Sequence, residues 1–180
     1  MDVARTNTRD EILAAAARRF ADAGFKGTSL QDIADDVGCS KATLLYHFDS
    51  KDAILAALIA PAARELAALS DRIARLDAAT ARDVAIDGFA DLVVRYRREI
   101  ALIFDELMRM FQRPAFEGIW PHVERLIAAC VGQSPDPDDQ LLARATLAGL
   151  AAVVLNRTDR DDTALRESIV RVARRALLPR

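Results

Sequence analysis

The stretch from Ser29 to Phe48 constrains this chain more than any other. Ser29 and Asp32 have the spacing of a capping box, in which each side chain satisfies a backbone N–H of the first helical turn. They open a short helix, Leu30 to Val37, whose Ile33, Ala34 and Val37 face one way. Gly38 ends that helix, and Ser40 is placed to cap another, Lys41 to Phe48. Only Gly38, Cys39 and the cap itself lie between the two, which is the spacing of a helix-turn-helix.

The flanking segments read as helices throughout. Thr8 with Glu11 forms a second capping box, and Ile12, Ala16 and Phe20, with Leu13 alongside, predict a first helix to about Ala23 with Arg18 and Arg19 pointing elsewhere. Gly24 stops it. Ser50 caps a fourth helix beginning at Lys51 or Asp52, and Pro61, inside the run Ala53 to Leu76, is expected to kink it or split it near Ile59. Thr80 with Asp83 predicts a fifth helix over about Ala81 to Arg97. A sixth follows from Ile100 to Gln112, closed by Pro114, and a seventh from Phe116 to Val131, interrupted by Pro121. Asp136 as cap, Pro137 as first helical residue, and Asp138 and Asp139 in the first turn start an eighth that runs to about Asn156. After a polar link, Arg157 to Asp161, the ninth covers about Asp162 to Leu178. No strand alternation, repeat or low-complexity tract interrupts this order.

The expected fold is all-α, with about nine helices: a three-helix helix-turn-helix domain over residues 1–50 and a larger helical domain over 51–180. The 180 residues, 52% hydrophobic and 29% charged with seven Gly and six Pro, suit a compact helical protein. A net charge of -2 excludes a protein coated for sequence-independent binding of polyanions, so any DNA contact must be local. Acidic residues outnumber basic ones even within residues 1–52. Cys39 and Cys130 fit neither a metal cluster nor a disulfide framework and read as buried apolar residues. The N-terminus has no apolar signal segment, and runs such as Ala145 to Leu155, bounded by Arg144 and Asn156, are too short to span a bilayer. A cytoplasmic protein with no membrane partner, cofactor or metal is the expectation.

The second helix of such a motif enters the major groove, while the first lies across the phosphates and offers its N-terminal N–H groups. In the third helix Lys41, Thr43, Tyr46 and His47 are the polar residues, and Leu44, Leu45 and Phe48 are available for packing. Lys41 suits guanine O6 or N7, and Thr43 a thymine methyl or a phosphate. Tyr46 and His47 read as phosphate contacts that set register. Ser29 and Gln31 at the start of the second helix, Ser40 at the cap of the third and Lys51 at the start of the fourth complete the candidate DNA-binding set. His47 has no Cys, His or carboxylate spaced to make it a metal ligand or catalytic base, and no group of residues suggests an enzyme.

The stretch Thr8 to Leu58, with FADAGFKGTSL followed by QDIADDVGCSKATLLYHFDSKDAIL, resembles the N-terminal signature of the TetR (tetracycline-repressor) family. The likeness covers under a third of the chain closely, and the rest resembles the family in helix order and length. Family members commonly carry a tyrosine where this chain has Leu45 and a threonine or valine where it has Leu30; the missing tyrosine implies one phosphate hydroxyl fewer, with either more of the load on Tyr46 and His47 or a lower affinity. The resemblance implies a transcriptional regulator, usually a repressor, that binds a double-stranded operator as a homodimer. It also implies release by a small, largely apolar effector held among helices four to eight.

A pocket of about 300 to 1,000 Å³ needs large apolar side chains and a few polar groups. Phe89, Tyr96, Phe104, Asp105, Met108, Phe111, Phe116, Trp120 and His122 are the candidates, with the reading that they simply fill a core kept beside it. Leu141, Ala145, Ala148, Ala152 and Leu155 repeat in steps of four and three, and Leu165, Ile169, Val172 and Ala176 form a matching stripe in the ninth helix. Two such helices per subunit predict an isologous four-helix dimer interface, the competing reading being closure of the monomer core. In the expected mechanism two reading helices span a near-palindromic site, and an effector changes their spacing through the fourth helix. The alternative on the same fold is an effector-independent structural or cell-division factor bound to DNA. Effector identity, operator sequence and the sign of regulation are not encoded in any motif.

Overall fold

The computed structural model describes residues 2–104, 118–155 and 161–178, with side chains over 8–102, 118–155 and 161–178. Among the described residues there are nine α-helices and no strand: α1 (Asp2–Gly27), α2 (Leu30–Val37), α3 (Lys41–His47), α4 (Lys51–Ile73), α5 (Ala78–Arg95), α6 (Arg97–Phe104), α7 (Trp120–Cys130), α8 (Pro137–Leu155) and α9 (Asp162–Leu177). They divide into two compact units, residues 2–61 with 101–104, and 62–100 with 118–155 and 161–178. The division falls at Pro61, so the first turns of α4 belong to the first unit.

In the first unit Ile12, Ala15, Ala16 and Phe20 of α1 are buried with Ile33 and Ala34 of α2, Leu44 of α3, Phe48, and Ile54, Leu55 and Ile59 of α4. This is one apolar stripe per helix, turned inward. Helix α1 starts earlier than its capping box implies, so Thr8 lies within it. Gly24 does interrupt it, at φ +74°, a left-handed value that a Cβ would oppose, and the chain resumes a helical turn as far as Gly27. Pro61 does not split α4, which runs through it as one helix.

In the second unit the core is built from Leu69 and Ile73 of α4, a long row on α5 from Ala81 to Val94, Leu126, Ile127, Ala129 and Cys130 of α7, Ala143, Leu147 and Val154 of α8, and Leu165, Ile169, Ala173 and Leu177 of α9. Helix α5 begins a turn before the Thr80 and Asp83 pair expected to open it. Asp77 caps it, its carboxylate accepting from the Ala79 and Thr80 N–H groups at 3.1 Å each. Asp83 instead belongs to a ladder of charges between α5 and α9. Arg174 reaches Asp83 and Asp87 at 3.2 Å, and Arg166 reaches Asp87 at 3.8 Å and Asp91 at 2.5 Å. The aspartates ascend α5 while the arginines descend α9, which sets the two helices antiparallel in one register. Asp136 does cap the eighth helix, accepting from the Asp138 N–H at 2.9 Å, and Asp161 caps the ninth, accepting from Ala164 at 3.0 Å.

Among the described residues α4 is the one helix long and apolar enough to cross a membrane, a property the sequence reading, intent on Ala145 to Leu155, passed over. Its Ile54, Leu55 and Ile59 are buried in the first unit and its Leu69, Ser70 and Ile73 in the second, and 28% of its apolar window is buried. Ser70, fully buried, accepts a hydrogen bond of 2.7 Å from Arg125.

Candidate nucleic-acid interface

The turn between α2 and α3 is held at both ends by groups the sequence supplies locally. Ser29 Oγ accepts from the Asp32 N–H at 3.1 Å, and the Asp32 carboxylate accepts from the Ser29 N–H at 2.7 Å, closing the capping box. At the other end Gly38, at φ +73°, lets its N–H reach the Asp35 carbonyl at 3.1 Å while the Cys39 N–H reaches Ala34 at 3.0 Å. That pair of bonds is a Schellman motif, and it leaves the chain pointing across α2 rather than along it. Ser40 then caps α3, accepting from the Thr43 N–H at 3.0 Å.

Leu44 and Phe48, 0% and 5% exposed, anchor α3 to the first unit's core. Its opposite face stands in solvent: Lys41, Ala42 and Thr43 are exposed, Tyr46 is 67% exposed, and His47 is half-buried, its ring centre 5.4 Å from that of Tyr46 in an edge-to-face pair. The Thr43 hydroxyl shares a 2.9 Å hydrogen bond with Ser40. Arg9 of α1 stacks 4.8 Å over the Phe48 ring and so covers the end of the reading helix.

The three carboxylates of α2 are engaged within the unit. Asp36 takes a two-pronged contact from Arg19 at 2.5 and 2.7 Å, which holds its carboxyl below the ordinary carboxylate range. Asp32 is also held low, first by the backbone N–H of Ser29. Asp35 accepts from the Gln31 amide at 2.7 Å, so Gln31, read as a phosphate contact, is engaged along its own helix. Helix α3 itself carries no carboxylate. A phosphate approaching its outer face therefore meets Lys41 and hydroxyls.

Lys51 has a role that its position after a cap did not announce. Its half-buried ammonium donates to the carbonyls of Phe25 and Thr28 at 2.6 Å each, so two of its three N–H groups fasten the end of α1 to the start of α4. Thr28, which no reading of the sequence singled out, is 2% exposed and shares its hydroxyl proton between the carbonyls of Gly24 and Arg19. The signal for both was weak: a threonine one residue before a cap and a lysine one residue after another.

The segment over residues 12–58 matches the family model described as bacterial regulatory proteins, tetR family. It is 50% identical over 44 residues to the HTH-type transcriptional repressor KstR2 of Mycolicibacterium smegmatis, covering 24% of this chain and 22% of that protein. It is 48% identical over 46 residues to IcaR of Staphylococcus aureus, the biofilm operon icaADBC HTH-type negative transcriptional regulator, covering 26% of this chain and 25% of the relative. Through this N-terminal segment the chain is similar to TetR-family regulators. The match thus spans about a quarter of each curated relative. The chain as a whole is similar in fold to the ketosteroid transcriptional regulator KstR2 of Mycobacterium tuberculosis, with a TM-score of 0.70 at 20% identity over 95% of both chains. PfmR of Thermus thermophilus, a TetR-family transcriptional regulator, gives a TM-score of 0.63 at 23% identity over 94% of this chain and 99% of its own.

In the second unit the expected sensing residues scatter. Phe89 is 7% exposed and packs in the core. The Tyr96 hydroxyl donates to Glu65 at 2.8 Å, a carboxylate also held by Arg95, and this raises the Tyr96 pKa. Trp120 and His122 share the first turn of α7, Trp120 40% exposed and His122 half-buried with a buried, unpartnered Nδ1. Asp105, Met108, Phe111, Phe116 and the side chain of Phe104 lie outside the described residues. Of the expected pairing stripe, Leu141, Ala145, Ala148, Val172 and Ala176 are exposed and Ala152 and Leu155 half-buried. Leu165 and Ile169, 4% and 3% exposed, are corrected: they pack inward against the chain's own core and leave no surface for a partner. Exposed Leu142 and Val153 stand nearer the open face than either.

Proposed function

We propose that this chain is a repressor that binds a near-palindromic operator as a homodimer and is released by a small, largely apolar effector. The observation that carries the DNA-binding part is α3. Its inward side is closed by Leu44 and Phe48, and its outward side offers Lys41, Thr43 and Tyr46 with no carboxylate among them. Repression is supported by the relatives that share its N-terminal segment, the KstR2 repressor and the negative regulator IcaR. Pairing is supported by the run of small and apolar residues left open on α8, from Leu141 through Ala145, Ala148 and Gly149 to Val153, with Val172 and Ala176 on α9. A cytoplasmic location follows from the same reading, since the operator is there.

Effector response rests on Trp120 and the half-buried His122, and on α4, which continues from the first unit into the second. A ligand that favours one arrangement of that helix would alter how two copies of α3 are spaced. The alternative, an effector-independent DNA-bound factor, draws on Phe89 and Tyr96, whose side chains are already committed to the core and to Glu65.

Selection of bound duplexes from a random pool by the full chain tests the reading. An inverted-repeat consensus is expected, and enrichment of nothing would reject it. A thermal-shift screen against small apolar compounds separates the two forms: a stabilising compound that also releases the selected duplex supports the effector-controlled one.

A further inference from the structure

The reading helix carries an apolar residue where the interface calls for polar ones. Leu45 is 40% exposed although Leu44 beside it is completely buried. The packing role expected of it is therefore filled by Leu44 and Phe48 alone. On a helix, residues four apart stand over one another, so Lys41 and Leu45 form one row and Ala42 and Tyr46 the next. All four are exposed. Ala42 projects one methyl only, which lets a base edge approach the groove between the rows, and Leu45 supplies the apolar wall of that groove.

Base pairs present donors and acceptors to the major groove and one apolar group, the C5-methyl of thymine. A leucine on a helix seated there has one partner that returns the cost of its exposure. We propose that Leu45, with Ala42 beside it, is a specificity-determining contact that reads thymine C5-methyl groups in each half-site. Leu45 offers the larger apolar surface for this role, since Thr43, whose hydroxyl is shared with Ser40, presents a single methyl. This rests on the DNA-binding reading above, and its test keeps the two apart.

The duplex selected by the full chain is resynthesised with deoxyuridine in place of each thymidine in turn, which removes the methyl and leaves pairing intact. At one or two positions per half-site the wild-type chain should lose about fourfold in affinity, the worth of one buried carbon. Leu45→Ala should bind the thymidine and deoxyuridine duplexes equally, and Leu45→Met should restore most of the difference. Helix content of each variant, measured alongside, shows that an exposed position has been changed without loss of fold. Wild-type affinity indifferent to deoxyuridine at every position overturns the inference and leaves the DNA-binding reading standing. So does a Leu45→Ala variant that keeps the full discrimination. A pool from which no duplex is enriched overturns both.

Discussion

The Lys51 ammonium lies 4.4 Å over the ring of Phe25 and donates to that residue's carbonyl at 2.6 Å. With the second bond, to Thr28, it ties two backbone carbonyls at the end of α1 to the start of α4. Lys51→Met should lower the stability of the chain by about 1–3 kcal/mol, the range for hydrogen bonds to a charged group. It should leave the salt dependence of operator binding nearly unchanged. A phosphate contact would take about 0.9 from the log–log salt slope when removed, so a drop of that size would return Lys51 to the DNA surface.

Acid should weaken the fold at two helix starts and at the ion pair between α1 and α2. Asp32, Asp36 and Asp77 all have carboxyls held below their ordinary value of 3.8, by Ser29, Arg19 and Thr80 respectively. Their stabilisation is complete above that value and is lost as pH falls through the lower values of the folded state. Thermal unfolding between pH 7 and pH 2 should show a flat upper region and a decline that begins around pH 4. In Asp36→Asn the decline should be shallower.

The opposite limb belongs to Cys130. Burial pushes its thiol up to about 12 from an ordinary 9.0, so the folded state favours the neutral form. Its contribution is intact below pH 9 and falls as pH rises from there toward 12. A thiol reagent at pH 8 should label Cys39, which is half-exposed, and reach Cys130 only on unfolding. Rapid labelling of both in the native chain would contradict this.

Gly88 of α5 lies against the Leu69 side chain of α4. A Cβ there would come within 2.5 and 2.6 Å of the two Leu69 methyls. Gly88→Ala gains up to about 1 kcal/mol of helix propensity, which offsets a clash that the flexible Leu69 end can partly relieve. It should be close to neutral. Gly88→Val should cost about 1–3 kcal/mol through overpacking, read from denaturant midpoints.

Inward and outward leucines and valines of α8 and α9 should separate cleanly. Leu165→Ala removes a core side chain and should cost about 2–5 kcal/mol, with any loss of pairing secondary to unfolding. Val153→Glu, at a position 52% exposed, should leave helicity intact and convert the proposed dimer to monomer in sedimentation. A Val153→Glu protein that sediments unchanged would move the pairing surface elsewhere.

Much of the first unit could be read in advance because its signals are local. Ser29 with Asp32, and Gly38 with Cys39, act within one helical turn, and the hydrogen bonds follow from backbone geometry alone. The second unit was less legible. Asp77 was passed over as a cap because Thr80 and Asp83 offered the same spacing three residues later, and Asp83 was in fact committed to Arg174, ninety-one positions away along the chain.

What the sequence alone determined is the order of the helices, the turn between α2 and α3, and which side of α3 is apolar, because periodicity and capping depend on neighbours a few residues apart. Only the tertiary structure decided that Lys51 serves Phe25 and Thr28, that Leu45 faces outward while Leu165 and Ile169 face in, and that α5 and α9 lock through alternating charges. Those outcomes turn on which distant atoms share a space. A long ammonium side chain or a leucine carries the same local pattern whether it meets a carbonyl, a core or solvent.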